Sequence, residues 1–134
     1  MMKPDLRFLS VDNVLQVHQD TLEQEGGADG VLNYGMLDSA ESMPRQKFAD
    51  KYLHRDLAAM ASAYLFHINL NHAFRDGNKR VSVLAATTFL IINGHRLDAD
   101  PSEFEQVTLE VADGKMNKLD LIEWVRSRVK PSGK

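Results

Sequence analysis

The stretch from Asn78 to Asn93 constrains the fold of this chain more than any other. A helix built from it is apolar nearly all round, because the stretch contains Val81, Val83, Leu84, Ala85, Ala86, Phe89, Leu90, Ile91 and Ile92. Such a helix is stable in water only when other elements cover most of its faces. We therefore predict that helix 78–93, which Asn93-Gly94 ends as a C-cap, is the central helix of an all-α bundle.

Apolar residues recur at helical spacing in five further segments. Ser10 and Asn117 are suited to cap the first and the last of these, and Asp100 is suited to form a capping box with Glu103. The predicted helices follow Ser10 up to Gly26-Gly27, run from Met36 to Met43 and from about His54 to Asn71, and extend from Asp100 to Gly114 and from Asn117 to Val129. The remaining segments are a candidate entry strand at Leu6 to Leu9, a polar connector at Arg45 to Tyr52, and a tail from Lys130 that is expected to fray.

Composition limits the setting in which the protein works. The length of 134 residues suits one domain, 1–134, and the lack of cysteine excludes disulfides, thiolate zinc sites and a cysteine nucleophile. No apolar run approaches the length of a membrane span, and a formal net charge of -3 gives no overall attraction to nucleic acid. We therefore expect a cytoplasmic protein whose partners include neither a membrane nor nucleic acid.

The sign of the charge changes along the C-terminal third of the chain. Residues 98–113 contain six acidic residues and no Lys or Arg, whereas the following residues, 117–130, form a basic helix. The two segments can pair within one chain or between two protomers, and the sequence leaves both arrangements open.

Nine consecutive residues lead into the apolar helix, and their sequence at 72–80 is HAFRDGNKR. They lie between two helical segments, so this loop ends at a helix N-terminus. Free backbone N–H groups and the helix dipole favour an anion at that position. We therefore predict a loop that handles phosphate, and a nucleotide phosphate is the natural ligand.

The second half of this loop is suited to hold the anion. Gly77 lets the backbone turn sharply and approach a ligand, and the N–H groups of Gly77 and Asn78 are expected to form an anion nest. Arg80 offers a fixed fork of donors to phosphate oxygens, and Lys79 offers a mobile point charge.

The first half of the loop is suited to the chemistry. Asp76 is a hard oxygen ligand that can hold Mg²⁺ bridging the phosphates. His72 carries an imidazole, which can take a proton from an attacking hydroxyl near neutral pH. Phe74 is expected to turn inward as the apolar anchor of the loop.

Most other conspicuous side chains are assigned structural roles. His67 and His72 are five residues apart, which is wrong for a helical zinc site, so we predict no zinc. The histidines without a partner at metal-ligand spacing, which we expect to be structural or exposed, are His18, His54, His67 and His95. The residues assigned to the core are Phe74, Phe89 and Trp124, with Met36, Met43 and Met60 filling gaps.

Residues 72–80 resemble the Fic motif, HxFx(D/E)GN(G/K)R, and nearly the whole chain resembles the short Doc (death-on-curing) toxins of the Fic/Doc superfamily. The resemblance rests on the motif, the helix before it, the Asn93-Gly94 end of the next helix and the chain length. It implies a compact helical bundle with a short strand or flap, which transfers part of a nucleotide to a hydroxyl of a target protein. Carried over by position, it implies His72 as general base, Asp76 as Mg²⁺ ligand, Gly77 and Asn78 as phosphate cradle, and Arg80 as phosphate clamp.

Two residues depart from the adenylylating branch and match the Doc branch. Lys79 stands where a glycine is common, and Val83 stands where a second arginine is usual. A lysine fills space and adds a cation, so the γ-phosphate of ATP, rather than the α-phosphate, would face His72. The resemblance therefore implies a kinase-like toxin that uses ATP and Mg²⁺ to phosphorylate a translation factor, with elongation factor Tu expected. We find no inhibitory helix in the sequence, so the expected inhibitor is a Phd-like antitoxin in trans.

The segment from Pro44 to Tyr52 occupies the place where the family has a flap that docks the target peptide as an added strand. The docking candidates within it are Gln46, Lys47 and Phe48. Three other functions stay open. Transfer of AMP or of another nucleotide moiety is the runner-up, and a non-catalytic binding module is disfavoured by the intact motif. RNA cleavage ranks last because the basic surface is weak outside the C-terminus.

Overall fold

The computed structural model describes residues 6–132, and its secondary structure is mainly helical, as predicted. The helices are α1 (Val11–Glu25), α2 (Tyr34–Ser42), α3 (Leu57–Asn71), α4 (Asn78–Ile92), α5 (Pro101–Ala112) and α6 (Lys118–Arg126), with a short 3₁₀ turn at Met43–Arg45. The strands are β1 (Lys47–Phe48), β2 (Lys51–Tyr52), β3 (His95–Leu97) and β4 (Val129–Pro131). No helix within residues 6–132 has the length and apolar character needed to cross a membrane.

Polar caps begin the helices where the sequence indicated. Ser10 accepts the N–H of Asn13 and the Asn13 side chain accepts the N–H of Ser10, which completes a capping box on α1. Asn117 accepts the N–H of Asp120 at 2.8 Å and caps α6. Both predicted caps are therefore confirmed.

The start of α5 differs from the prediction. Asp100 is its N-cap residue and a proline follows at the first helical position, but the Asp100 side chain makes no capping hydrogen bond. Glu103 does not reach back to it, because its carboxylate forms an ion pair with Arg128. The predicted capping box is therefore wrong, and part of the acidic segment pairs with the basic segment inside the same chain.

A buried central helix is present, but it is α3 rather than helix 78–93. Eleven of the fifteen residues of α3 are buried, and it packs against α2, α4, α5 and α6. In α4 six residues are buried, and Ile91 at its end is 62% exposed. The reason is side-chain size: four alanines in the first half of α3, 58, 59, 61 and 63, let neighbouring helices approach on several sides.

Short strand pairs include two segments that were predicted as irregular, the connector and the tail. The connector forms an antiparallel hairpin of β1 and β2, whereas the expected entry strand at Leu6 to Leu9 is not part of a sheet. Its Leu9 N–H instead donates to the Tyr64 hydroxyl at 2.8 Å. The tail does not fray at Lys130, which pairs with Arg96 in the antiparallel pair of β3 and β4.

The assigned core residues are mostly inside. Phe74 and Phe89 are fully buried, Met60 is buried, and Trp124 is partly buried against the ring of Phe104. Met36 is 45% exposed, so its assignment as a gap-filler is wrong. It lies on the outward side of the short helix α2, whose buried residues are Leu37, Ala40 and Glu41.

Candidate active site

Residues 72–77 form the loop between α3 and α4, and left-handed residues mark both of its ends. His72 is the C-cap of α3 with φ 50°, and Gly77 is the N-cap of α4 with φ 83°. A histidine in the left-handed region is uncommon and carries a conformational cost of order 1 kcal/mol, as is typical of functional loops. The turn leaves the His72 side chain exposed while Ala73 and Phe74 are buried.

Backbone pairing with the segment before α2 fixes one side of this loop. Val31 and Phe74 form an antiparallel bridge, and the N–H of Arg75 donates to the carbonyl of Gly30 at 3.0 Å. On the other side of the bridge, Leu32 N–H donates to Ala73 O at 2.7 Å. The loop that carries His72 and Asp76 is therefore held as one strand of a small ladder.

His18 supports the loop from the core. Its ring is 2% exposed and stacks on the Phe74 ring with centroids 3.9 Å apart. Its Nε2 lies 2.9 Å from the carbonyl oxygen of Asp76, which can only accept, so Nε2 carries the proton and donates. His18 therefore fixes the backbone of the residue predicted to hold Mg²⁺.

The sequence prediction of a structural His18 is confirmed, but its contact with the loop was missed. The available signal was its position on α1, since Val14, His18 and Thr21 share one buried helical face. Nothing local to His18 indicated which loop it would meet.

The side chain of Asn78 closes the loop on itself. Its Oδ1 accepts the N–H of Phe74 at 3.1 Å and its Nδ2 donates to the Phe74 carbonyl at 2.9 Å. Both ends of the amide are therefore used inside the loop. Asn78 can still offer a ligand its backbone N–H and the second N–H of its side-chain amide.

Asp76 presents an exposed carboxylate beside the start of α4. Its Oδ1 accepts the N–H of Gly77 at 3.0 Å, and its Oδ2 lies 3.4 Å from the N–H of Ala28. A Cβ on Gly27 would lie 3.1 Å from Oδ2, so the glycine permits the close approach of the two loops. The carboxylate keeps lone pairs for a hard cation, which fits Mg²⁺.

The first turn of α4 has the donors that an anion needs. Val81 N–H is bonded to Gly77 O at 2.9 Å, so the N–H groups before it, at 78–80, have no partner within the helix. The exposed side chains of Lys79 and Arg80 lie on the same turn. This combination of amide donors, two cations and a nearby carboxylate fits a magnesium-bound phosphate chain.

Arg80 has an ionic partner that the sequence did not indicate. Its guanidinium is ion-paired with Glu25, the last residue of α1, and the two side chains are 53% and 43% exposed. The contact joins residues 55 positions apart, and Glu25 lies next to Gly26 and Gly27, both in the left-handed range of φ. An exposed ion pair of this kind contributes about 1 kcal/mol or less.

A groove of about 700 Å³ begins at this turn and runs between α4 and α5. Lys79 and Arg80 line one end, and Val83 lines it one turn further along, with Phe104 on the α5 side. The volume is within the range of pockets that hold drug-sized ligands.

The docking candidates lie in the hairpin between the 3₁₀ turn and α3. Lys47 and Phe48 form β1, the Gln46 carbonyl accepts the N–H of Leu53 at 3.0 Å, and Phe48 is 75% exposed. Among residues 6–132, no hydrogen bond or ion pair joins these three residues to the 72–80 loop. The hairpin tip, Ala49 and Asp50, has φ of 53° and 67°, as in a type I′ turn.

The loop turns out of a buried helix and presents an imidazole, a carboxylate and an arginine at the N-terminus of the next helix. This arrangement defines a class of protein. The sequence profile of the Fic/DOC family matches residues 8–90, which include the whole loop. The chain belongs to the Fic/DOC family.

Two curated relatives confirm the predicted Doc branch. The chain is 43% identical over 75 residues to "Toxin Doc" of Mycolicibacterium smegmatis, and the match covers 56% of this chain and 58% of that protein. It is 24% identical over 121 residues to "Protein kinase doc" of Escherichia phage P1, which covers 90% of this chain and 94% of that one. The first match thus spans little more than half of its relative, whereas the second spans nearly all of it.

Proposed function

We propose that this protein is a Doc-like toxin that transfers the γ-phosphoryl group of ATP to a hydroxyl of a translation factor. The observation that carries the proposal is the first turn of α4, where amide donors, Lys79 and Arg80 lie beside the Asp76 carboxylate and the loop of the exposed His72. The name of one relative, a protein kinase, supports this reaction class, and the name of the other supports the role of a toxin.

Three side chains of the loop have a proposed part in this reaction. His72 takes the proton of the attacking hydroxyl, and Arg80 with the amides of the α4 N-terminus holds the phosphate oxygens as charge develops. Asp76 would hold a magnesium ion, and the ion would supply neutralisation of the phosphate charge. His18 keeps the Asp76 backbone in place through its hydrogen bond.

The direction in which the nucleotide lies determines which group is transferred. Lys79 adds a cation next to the loop, and Val83 gives the groove an apolar residue one turn further along. With the terminal phosphate at the loop, the rest of ATP has the 700 Å³ groove available to it. This orientation places the γ-phosphate towards His72 and favours phosphoryl over AMP transfer.

Elongation factor Tu is the proposed protein substrate, and a Phd-like antitoxin in the same cytoplasm is the proposed inhibitor. The hairpin with the exposed Phe48 is the proposed docking element for the substrate, since a short strand pair with an exposed edge can accept an added strand.

Intact-mass spectrometry of elongation factor Tu, incubated with this protein, Mg²⁺ and ATP, tests the proposal. A gain of phosphoryl size is expected with the natural chain and not with His72→Ala, while a His95→Ala variant serves as the control for removing an imidazole outside the loop. A gain of adenylyl size would replace kinase by adenylyltransferase. No gain with the natural chain would contradict the proposed substrate.

A further inference from the structure

Outside the phosphate loop, the side chains of two histidines and one lysine form a hydrogen-bonded cluster. The Lys118 Nζ lies 2.8 Å from Nε2 of His54 and 3.0 Å from Nε2 of His67. His54 precedes α3, His67 is on α3, and Lys118 is the first residue of α6. Neither hydrogen-bonding partner of the lysine is a carboxylate.

The hydrogen bonds define the protonation of the two rings. The lysine nitrogen has N–H groups to donate to both rings whether it is neutral or charged, so each Nε2 accepts and each imidazole is neutral with its proton on Nδ1. His54 is 6% exposed, and its Nδ1 has no hydrogen-bond partner among the described residues. In this cluster, two neutral imidazoles therefore accept hydrogen bonds from one lysine nitrogen.

The surroundings disfavour the charged form of this amine. Lys118 occupies the first position of α6, where the helix dipole is positive and opposes a cation. Burial also lowers its pKa below the ordinary value for lysine. Burial and the neighbouring Lys118, in that order, lower the pKa of His54, and the same two effects, with His54 third, lower the pKa of His67 to about 4.

We propose that Lys118 is a nucleophilic lysine and a site of covalent acylation by acyl phosphates. The free amine attacks the carbonyl carbon, so that a C–N bond forms while the bond from that carbon to the phosphate oxygen breaks. The proton of the attacking nitrogen passes through Nε2 of His54 or His67 to the departing phosphate, which leaves as hydrogen phosphate. The product is a neutral amide with no change in oxidation state.

Acylation would also change the contact between α3 and α6. The amide product keeps one N–H, so it can donate to only one of the two imidazoles. The other Nε2 then loses its donor inside a half-buried site, which weakens the attachment of α6. This inference does not depend on the phosphate loop or on the proposed kinase activity.

Acetyl phosphate, used as the probe on the intact chain, tests the proposal. Peptide mapping by mass spectrometry follows the acetylation of each lysine with time at neutral pH, and the exposed Lys115 and Lys130 serve as references in the same sample. We expect Lys118 to react at least about threefold faster than either reference, because the rate follows the fraction of free amine. A rate equal to or below that of the references would overturn the proposal.

A variant shows whether the acetylation rate of Lys118 depends on the neighbouring imidazoles or only on its exposure to solvent. His67→Glu places a carboxylate against Lys118, which holds the proton on the amine, so the rate at Lys118 should fall to that of Lys115 or below. Circular dichroism confirms that the variant is folded, and the wild-type comparison stands on its own if it is not. An unchanged rate in the folded variant would contradict the role assigned to the imidazoles.

Discussion

The Arg80 guanidinium, which the proposed chemistry assigns to phosphate, is ion-paired with Glu25 of the same chain. Both side chains are about half exposed, so the pair is weak and a phosphate can replace the carboxylate. For Glu25→Gln we expect the KM for ATP to fall by about two- to fivefold, since an exposed pair contributes about 1 kcal/mol or less. Initial rates of phosphoryl transfer measure this.

Glu23→Gln is the matched control for that substitution, because Glu23 is an exposed glutamate on the same helix. It should leave the KM for ATP unchanged. A higher KM for Glu25→Gln alone would show instead that Glu25 is needed to hold Arg80 in place.

His18 is expected to act as a positioning residue. His18→Phe keeps a ring against Phe74 but removes the donor to the Asp76 carbonyl. The backbone of Asp76 is then held less firmly. We expect kcat to fall about tenfold, corresponding to about 1.4 kcal/mol, with a smaller change in the KM for ATP. Activity equal to that of the natural chain would show that the hydrogen bond does not position Asp76.

For single residues, the sequence predicted the roles of neighbouring residues and missed contacts between residues that are far apart in the chain. The phosphate loop could be interpreted because nine neighbouring residues carry its chemistry. His18 and Glu25 reach the loop from α1 across more than fifty residues, and no pattern near either one indicates that contact. The use of the Asn78 side chain inside the loop likewise depends on the turn geometry, which the residue types alone do not define.

Among the elements, α6 is attached to α3 partly through the neutral imidazoles of His54 and His67, which makes stability depend on pH. The pKa of His67 is lowered to about 4 in the folded chain, whereas an unfolded histidine titrates near about 6.5. The unfolded chain therefore binds more protons, so this contribution is complete above about pH 6.5 and is lost as the pH falls towards 4. We expect a lower urea midpoint at about pH 5 than at about pH 7.5.

His67→Gln removes one titrating ring while keeping an acceptor for Lys118. The pH dependence of its urea midpoint should be flatter over the same range. An equal midpoint for the natural chain at both pH values would contradict the assignment of neutral imidazoles to His54 and His67.

The β1–β2 hairpin allows docking to be separated from chemistry. Phe48→Ala should raise the KM for the protein substrate several-fold while the free energy of unfolding changes by no more than about 0.5 kcal/mol, because the side chain is 75% exposed. Leu119→Ala, equally exposed on α6, is the control. Identical kinetics of the two variants would remove the hairpin as the docking element.

Helices were predictable because periodicity and caps extend over many residues, as Ser10 and Asn117 illustrate. The strands were not predictable, because two or three residues are too few to show the alternation of a strand. Such short strands form only by pairing with another segment, as Lys130 pairs with Arg96. The central position of α3 depends on the small size of its alanines, which lets neighbouring helices approach, and the spacing of large apolar residues does not indicate it.

For the whole molecule, one aromatic cluster joins the N-terminal segment to the two principal helices. The ring of Phe89 lies 5.2 Å from that of Tyr64 on α3 and 5.8 Å from that of Phe8. Phe89→Ala should lower the free energy of unfolding by about 3–5 kcal/mol through lost burial and a cavity. Urea denaturation measures the loss, and a loss below about 1 kcal/mol would contradict a core built on this cluster.

The reaction proposed for the loop between α3 and α4 is transfer of the terminal phosphoryl group of ATP. The most direct test incubates elongation factor Tu and Mg²⁺ with ATP labelled at either the γ- or the α-phosphate, using the natural chain and His72→Ala. We expect this transfer to place only the γ-label on the factor, and only with the natural chain. Transfer of the α-label, or equal γ-labelling by His72→Ala, would contradict it.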